Sequence, residues 1–141
     1  MALTSEATTV WNGDLRSGSG TITLDSSHAA EFPVSWAARS EGRDGLTNPE
    51  ELIGAAHAAC YSMAFSNILS SSGNTPESIQ TTAAVTFDPA SGITGSHLLV
   101  SARVPGISEE EFQRLADEAK RTCPVSRALA GIPITLEAEL A

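Results

Sequence analysis

The stretch from Asn48 to Leu69 constrains this chain more than any other. Asn48 is a good helix N-cap, and Pro49 falls at the first helical position, where its missing N–H costs nothing. Glu51 stands three residues after Asn48, the spacing of a capping box. From Leu52 to Leu69 apolar residues occupy nearly every face of the helical wheel. The pattern predicts a helix from about Pro49 to Ser71, closed by Gly73 as its C′ residue. A helix that is apolar all round is buried, not laid on a surface. The run is long enough to cross a membrane, but Gly54, His57, Tyr61, Ser62, Ser66 and Asn67 argue against that.

Shorter elements flank it. Residues 9–24 carry Gly13-Asp14 and Gly18-Ser19-Gly20 between β-rich runs and predict an N-terminal hairpin or meander. Phe32, Val34 and Trp36 alternate with Pro33 and Ser35, which predicts a strand with Arg39 at its end and a turn over residues 41–45. Ala83, Val85 and Phe87 form one strand, Asp88 to Gly92 a turn, and Leu98, Val100, Ala102 and Val104 the hairpin partner. Ser108 and Glu111 make a capping box for a helix with Phe112, Leu115, Ala116 and Ala119 on one side. Pro124 opens a short helix closed by Gly131, and Ile132, Ile134, Leu136, Ala138 and Leu140 alternate as a last strand. Grouped strands joined by hairpins predict an α+β fold, a mostly antiparallel sheet packed on the long central helix, in one domain over residues 1–141. One small sheet cannot cover a helix apolar on all faces. A second subunit is the simplest cover, so an obligate homodimer is expected.

The net charge of −9 argues against nucleic-acid binding through phosphates and against docking on an anionic membrane. Met1 to Trp11 shows neither a basic segment nor an apolar one, so no signal peptide and a cytoplasmic location are expected. Cysteines there are normally reduced, which makes Cys60 and Cys123 either two unrelated buried thiols or a redox pair.

Cys123 precedes Pro124 and stands at the N-cap of the short helix, where partial positive charge favours a thiolate. Cys60, three turns into its own helix, gets no such help, and burial would raise its pKa. It is either a small buried hydrophobe among alanines or a nucleophile to which a cation must be brought. The cations outside the predicted helices are Arg16, Arg39, Arg43 and Arg103. Glu50 and Glu51 also suit a first helical turn simply by complementing its dipole. His57, three residues before Cys60, reads as a packed side chain with one hydrogen bond, and as a base only in second place. His28 and His97 read as surface residues. A zinc site from Cys60, Cys123, His57 and His97 has no closely spaced ligand pair to support it, and neither a metal nor a cofactor is expected. Ser62 and Ser126 lack a nucleophile-elbow setting, and no phosphate or dinucleotide loop is present.

Asn48-Pro49-Glu50-Glu51-Leu52-Ile53-Gly54-Ala55-Ala56-His57-Ala58-Ala59-Cys60, with Cys123-Pro124-Val125-Ser126, resembles the family of osmotically inducible protein C and the organic hydroperoxide resistance protein (OsmC/Ohr). The resemblance covers nearly the whole chain, and the choices around His57 are closer to the osmotically inducible branch. It implies an intertwined homodimer and a cysteine-based peroxidase acting on organic (lipid or alkyl) hydroperoxides, with hydrogen peroxide as a further candidate substrate. Under this resemblance Cys60 is the peroxidatic thiolate and becomes a sulfenic acid. Cys123 is the resolving cysteine, and the resulting disulfide is reduced by an external dithiol, in this family often a lipoyl protein. The resemblance also implies an arginine and a glutamate around the thiol. Glu50 matches the glutamate. Arg39 matches the arginine of the osmotically inducible branch, and Arg16 lies where the hydroperoxide resistance branch has its own. Ile53, Met63 and Phe65 are candidates for an apolar mouth suited to alkyl peroxides. The alternative is a non-catalytic redox-sensing or binding protein that uses the same cysteine pair.

Overall fold

The structure is a computed structural model that describes residues 1–43 and 45–141. Two compact units make up the chain, Met1–Pro49 and Glu50–Ala141.

The first unit is an antiparallel sheet of β1 (Ala7–Asn12), β2 (Ser19–Leu24) and β3 (Glu31–Val34), in that spatial order. The N-terminal hairpin is where the glycine pattern puts it. Gly20 is required there: a Cβ would meet the Trp11 ring at 2.8 Å. Pro33 lies on β3, an edge strand, where its missing N–H breaks no inner ladder. The predicted strand through Trp36 to Arg39 is corrected. β3 stops at Val34, and Trp36–Glu41 form a short helix, α1. Ser35 caps it, its side chain accepting from the Ala38 N–H at 3.1 Å, and Gly42 ends it at φ +66°. The turn expected over residues 41–45 therefore begins as the last residue of α1 and its glycine cap, and its Asp44 lies outside the described residues.

The second unit holds nearly all of α2 (Pro49–Ser71), then β4 (Ser78–Asp88), β5 (Gly92–Arg103), α3 (Glu109–Thr122), α4 (Pro124–Ala128) and β6 (Ile134–Leu140). α2 has the bounds read from sequence. Its end is a Schellman motif: Asn74 N–H donates to Leu69 C=O at 2.9 Å and Gly73 N–H to Ser70 C=O at 3.1 Å, with Gly73 at φ +87°. β4 and β5 are the expected hairpin, and β6 returns parallel to β5, so the order is β4-β5-β6. The α3–α4 segment is the crossover that a parallel pair needs. In place of one sheet, the chain has two small ones.

The core of this unit joins Tyr61, Phe65 and Leu69 of α2 to Leu98, Val100 and Ala102 of β5 and to Phe112, Leu115, Ala116 and Ala119 of α3. Phe65 stacks obliquely between Tyr61 and Phe112, with centroids 5.6 and 5.5 Å away. The Tyr61 hydroxyl donates to Ala116 C=O at 3.0 Å, which satisfies the only polar atom of a buried ring. Gly54 lets α2 approach β4: a Cβ there would meet Ala83 C=O at 2.9 Å.

Within one chain α2 is buried along one side only. Glu50, Gly54, His57, Tyr61, Phe65 and Leu69 form its buried stripe, at helical spacing. Ala55, Ala56, Ala59 and Met63 on other faces are exposed. By length and hydropathy alone α2 could cross a membrane, but its stripe packs into the chain's own core.

Candidate active site

The tertiary fold brings Cys60 and Cys123 together although 63 residues separate them. Cys60, in mid-α2, is partly exposed; Cys123 is fully buried. Both are free thiols, close enough to interact through hydrogen bonding and charge. Cys123 sits between two helices, as C-cap of α3 and N-cap of α4, and makes no side-chain cap bond. The Val125 backbone N–H, in the first turn of α4, favours the Cys60 thiolate. Cys60 is thus not without helix-terminus help, which corrects the expectation. Burial pushes the Cys60 thiol above its ordinary value, the Val125 N–H pulls it down, and the neighbouring Cys123 adds to the rise.

His57 is fully buried one turn before Cys60 and has two hydrogen bonds where one was expected. Nδ1 lies 2.7 Å from Ser96 Oγ on β5, and Nε2 lies 2.8 Å from Ser126 Oγ on α4. Burial lowers its pKa. In the neutral ring one nitrogen donates and the other accepts, so one serine accepts and the other donates.

Glu50 is only 4% exposed, whereas Glu51 is exposed. Complementing a helix dipole requires no such burial. Arg39 lies on α1, and with Trp11, Leu15, Ile22, Val34 and Trp36 it lines an apolar pocket of about 210 Å³ within the first unit. Arg16 is exposed in the loop between β1 and β2. The apolar mouth expected on α2 is corrected in part. Phe65 is fully buried in the core and lines no opening, Met63 is exposed, and Ile53 is partly buried.

Among the described residues no group of three or more histidine, cysteine, aspartate or glutamate side chains could hold a metal. Sequence reasoning missed Ser96, Ser126 and the Val125 N–H. The matched spacing of His57 to Cys60 and of Cys123 to Ser126, three residues each, was a signal for Ser126. Nothing local marks Ser96.

Known proteins resemble this chain along most of its length. Residues 42–137 match the family model described as OsmC-like protein. Peroxiredoxin OsmC of Escherichia coli (strain K12) is 45% identical over 133 residues, 92% of each chain. The organic hydroperoxide resistance protein of Xanthomonas axonopodis pv. citri (strain 306) is 35% identical over 102 residues, 67% of this chain and 68% of that one. In fold, the crystal structure of an OsmC-like protein from Mycoplasma pneumoniae superposes with a TM-score of 0.75, covering 100% of this chain and 99% of the other at 19% identity. The family match over most of the chain, and the closer likeness to peroxiredoxin OsmC, lead to one assignment: this protein belongs to the OsmC family, nearer its OsmC than its organic hydroperoxide resistance branch.

Proposed function

We propose that this protein is a cysteine-based peroxidase that reduces organic hydroperoxides to alcohols. The observation that carries the reading is the neighbouring Cys60–Cys123 thiol pair, in a chain 45% identical to a peroxiredoxin.

The Cys60 thiolate attacks one oxygen of the peroxide. The O–O bond breaks, the other oxygen leaves with a proton as the alcohol, and sulfur, oxidised by two electrons, becomes a sulfenic acid. The Cys123 thiol then attacks that sulfur. Water leaves, and a Cys60–Cys123 disulfide forms. An external dithiol, a lipoyl protein by family resemblance, takes up the disulfide and restores both thiols.

Burial opposes the Cys60 thiolate, so the reading gives Arg39 the task of supplying positive charge and orienting the peroxide oxygens. Glu50 holds that guanidinium; its burial in a first helical turn supports a specific role. The apolar pocket beside Arg39 suits an alkyl group. The working form is a homodimer acting in the cytoplasm. Exposed Ala55, Ala59 and Met63 on α2 and exposed Val10 and Leu15 of the first unit support a second copy as the missing cover.

Incubation of reduced protein with cumene hydroperoxide and a lipoyl or synthetic dithiol tests this. Repeated turnover that Cys60→Ser abolishes is expected. A single stoichiometric oxidation without turnover would make the protein a redox sensor, and full activity in Cys60→Ser would sink the mechanism.

A further inference from the structure

We propose that His57 and Ser126 are positioning residues that hold Cys123 against Cys60. The assignment rests on the peroxidase reading for its purpose, but not for its geometry.

α2 and α4 are joined by two rungs. One is the thiol pair Cys60–Cys123. The other is His57 Nε2 to Ser126 Oγ, 2.8 Å. His57 precedes Cys60 by three residues and Ser126 follows Cys123 by three, so each rung lies one helical turn from the other. α4 has five residues, far too few to be stable as an isolated helix. Its place is set by what holds it, and the His57–Ser126 bond is a hold of the right kind. His57 and Ser126 are 0% and 5% exposed, so water does not compete for the bond, and breaking it strands polar atoms in the core. Ser96, itself buried, engages Nδ1 at 2.7 Å and sets the plane of the ring. With both ring nitrogens engaged by serines, His57 has no free nitrogen for Cys60. It acts through the position of α4, not as a base.

The consequence falls on disulfide formation. A disulfide requires sulfurs about 2.05 Å apart and Cβ atoms about 3.8 Å apart. Holding α4 in register raises the effective concentration of one thiol at the other.

The test needs no peroxide. Reduced protein is equilibrated with mixtures of oxidised and reduced glutathione, so that the two thiols plus one oxidised glutathione give the intramolecular disulfide plus two reduced glutathiones. Wild type, Ser126→Ala, His57→Leu and the double variant are compared, and urea unfolding is measured on their dithiol forms. Ser126→Ala is expected to lower the effective concentration at least about tenfold, about 30 mV for this two-electron couple. The double variant should be no worse than the worse single one, because both delete the same bond. A merely structural role would destabilise dithiol and disulfide forms alike and leave the potential in place. Unchanged potential in Ser126→Ala therefore overturns the proposal, whether or not its stability falls. Should His57→Leu fail to fold, Ser126→Ala, which removes a single hydroxyl, still decides. A wild type inert to peroxides whose potential nonetheless responds to Ser126→Ala would sink the peroxidase reading and leave this one standing.

Discussion

Cys60 neighbours Cys123, which is buried at the start of α4, and the Val125 backbone N–H of the same segment. Cys60 therefore feels opposing neighbours from one short segment: the N–H favours its thiolate and Cys123 disfavours it. Cys123→Ala should lower the Cys60 pKa relative to wild type. Thiolate absorbance in the far ultraviolet, followed against pH, measures it; an unchanged value would show that the two thiols do not influence each other in solution, and a raised one that Cys123 favours the Cys60 thiolate.

Arg39 is proposed as the cation that activates Cys60. Replacing it with alanine should move the midpoint of the pH–rate profile for peroxide consumption upward, since the reacting species is the thiolate and its population rises with pH through the pKa. The effect should exceed about tenfold in rate near neutral pH, for loss of a charge-assisted interaction, with little change in folding. Arg16→Ala is the control. A shift there and none in Arg39→Ala would transfer the role to Arg16.

His57 should make the fold sensitive to mild acid. Its pKa in the folded protein lies below its ordinary 6.5 because burial disfavours the imidazolium. The unfolded chain then binds the proton first, so stability falls as pH drops below 6.5 toward the lowered folded value, and is recovered as pH rises. Urea midpoints measured across that range should show this slope in wild type and lose it in His57→Gln. A slope that persists in the variant would belong to another group.

Glu50 and Cys60 lie ten residues apart on α2, about 15 Å along the axis at 1.5 Å per residue. A glutamate side chain does not span that distance. If Glu50 steadies the arginine at Cys60, two copies of α2 packed antiparallel bring the start of one near the middle of the other. Mixing inactive Cys60→Ser with inactive Glu50→Ala should then restore activity as subunits exchange, because each heterodimer regains one intact centre. Continued inactivity after proven exchange would place both residues in one chain's site.

What the sequence determined by itself is the set of features that local chemistry dictates. Pro49 and Gly73 bound α2 because φ preferences and C-capping act over a few residues. Ser108, whose side chain accepts from the Glu111 N–H at 3.2 Å, starts α3 for the same reason. Alternation in β4, β5 and β6 marked their core faces, and the Cys60 and Cys123 motifs marked the family. Tertiary structure decided the rest. Phe32 to Trp36 alternates as a strand does, yet the Ser35 cap turns the chain into α1, since a six-residue helix carries too little periodicity to outweigh that alternation. Phe65 was indistinguishable in sequence from Met63, but the face of α2 it occupies meets β5 and α3, so one is core and the other exposed. The two partners of His57 lie 39 and 69 residues away in sequence. A hydrogen bond between such residues leaves no local pattern, because only the packing of α2 against β5 and α4 makes them neighbours.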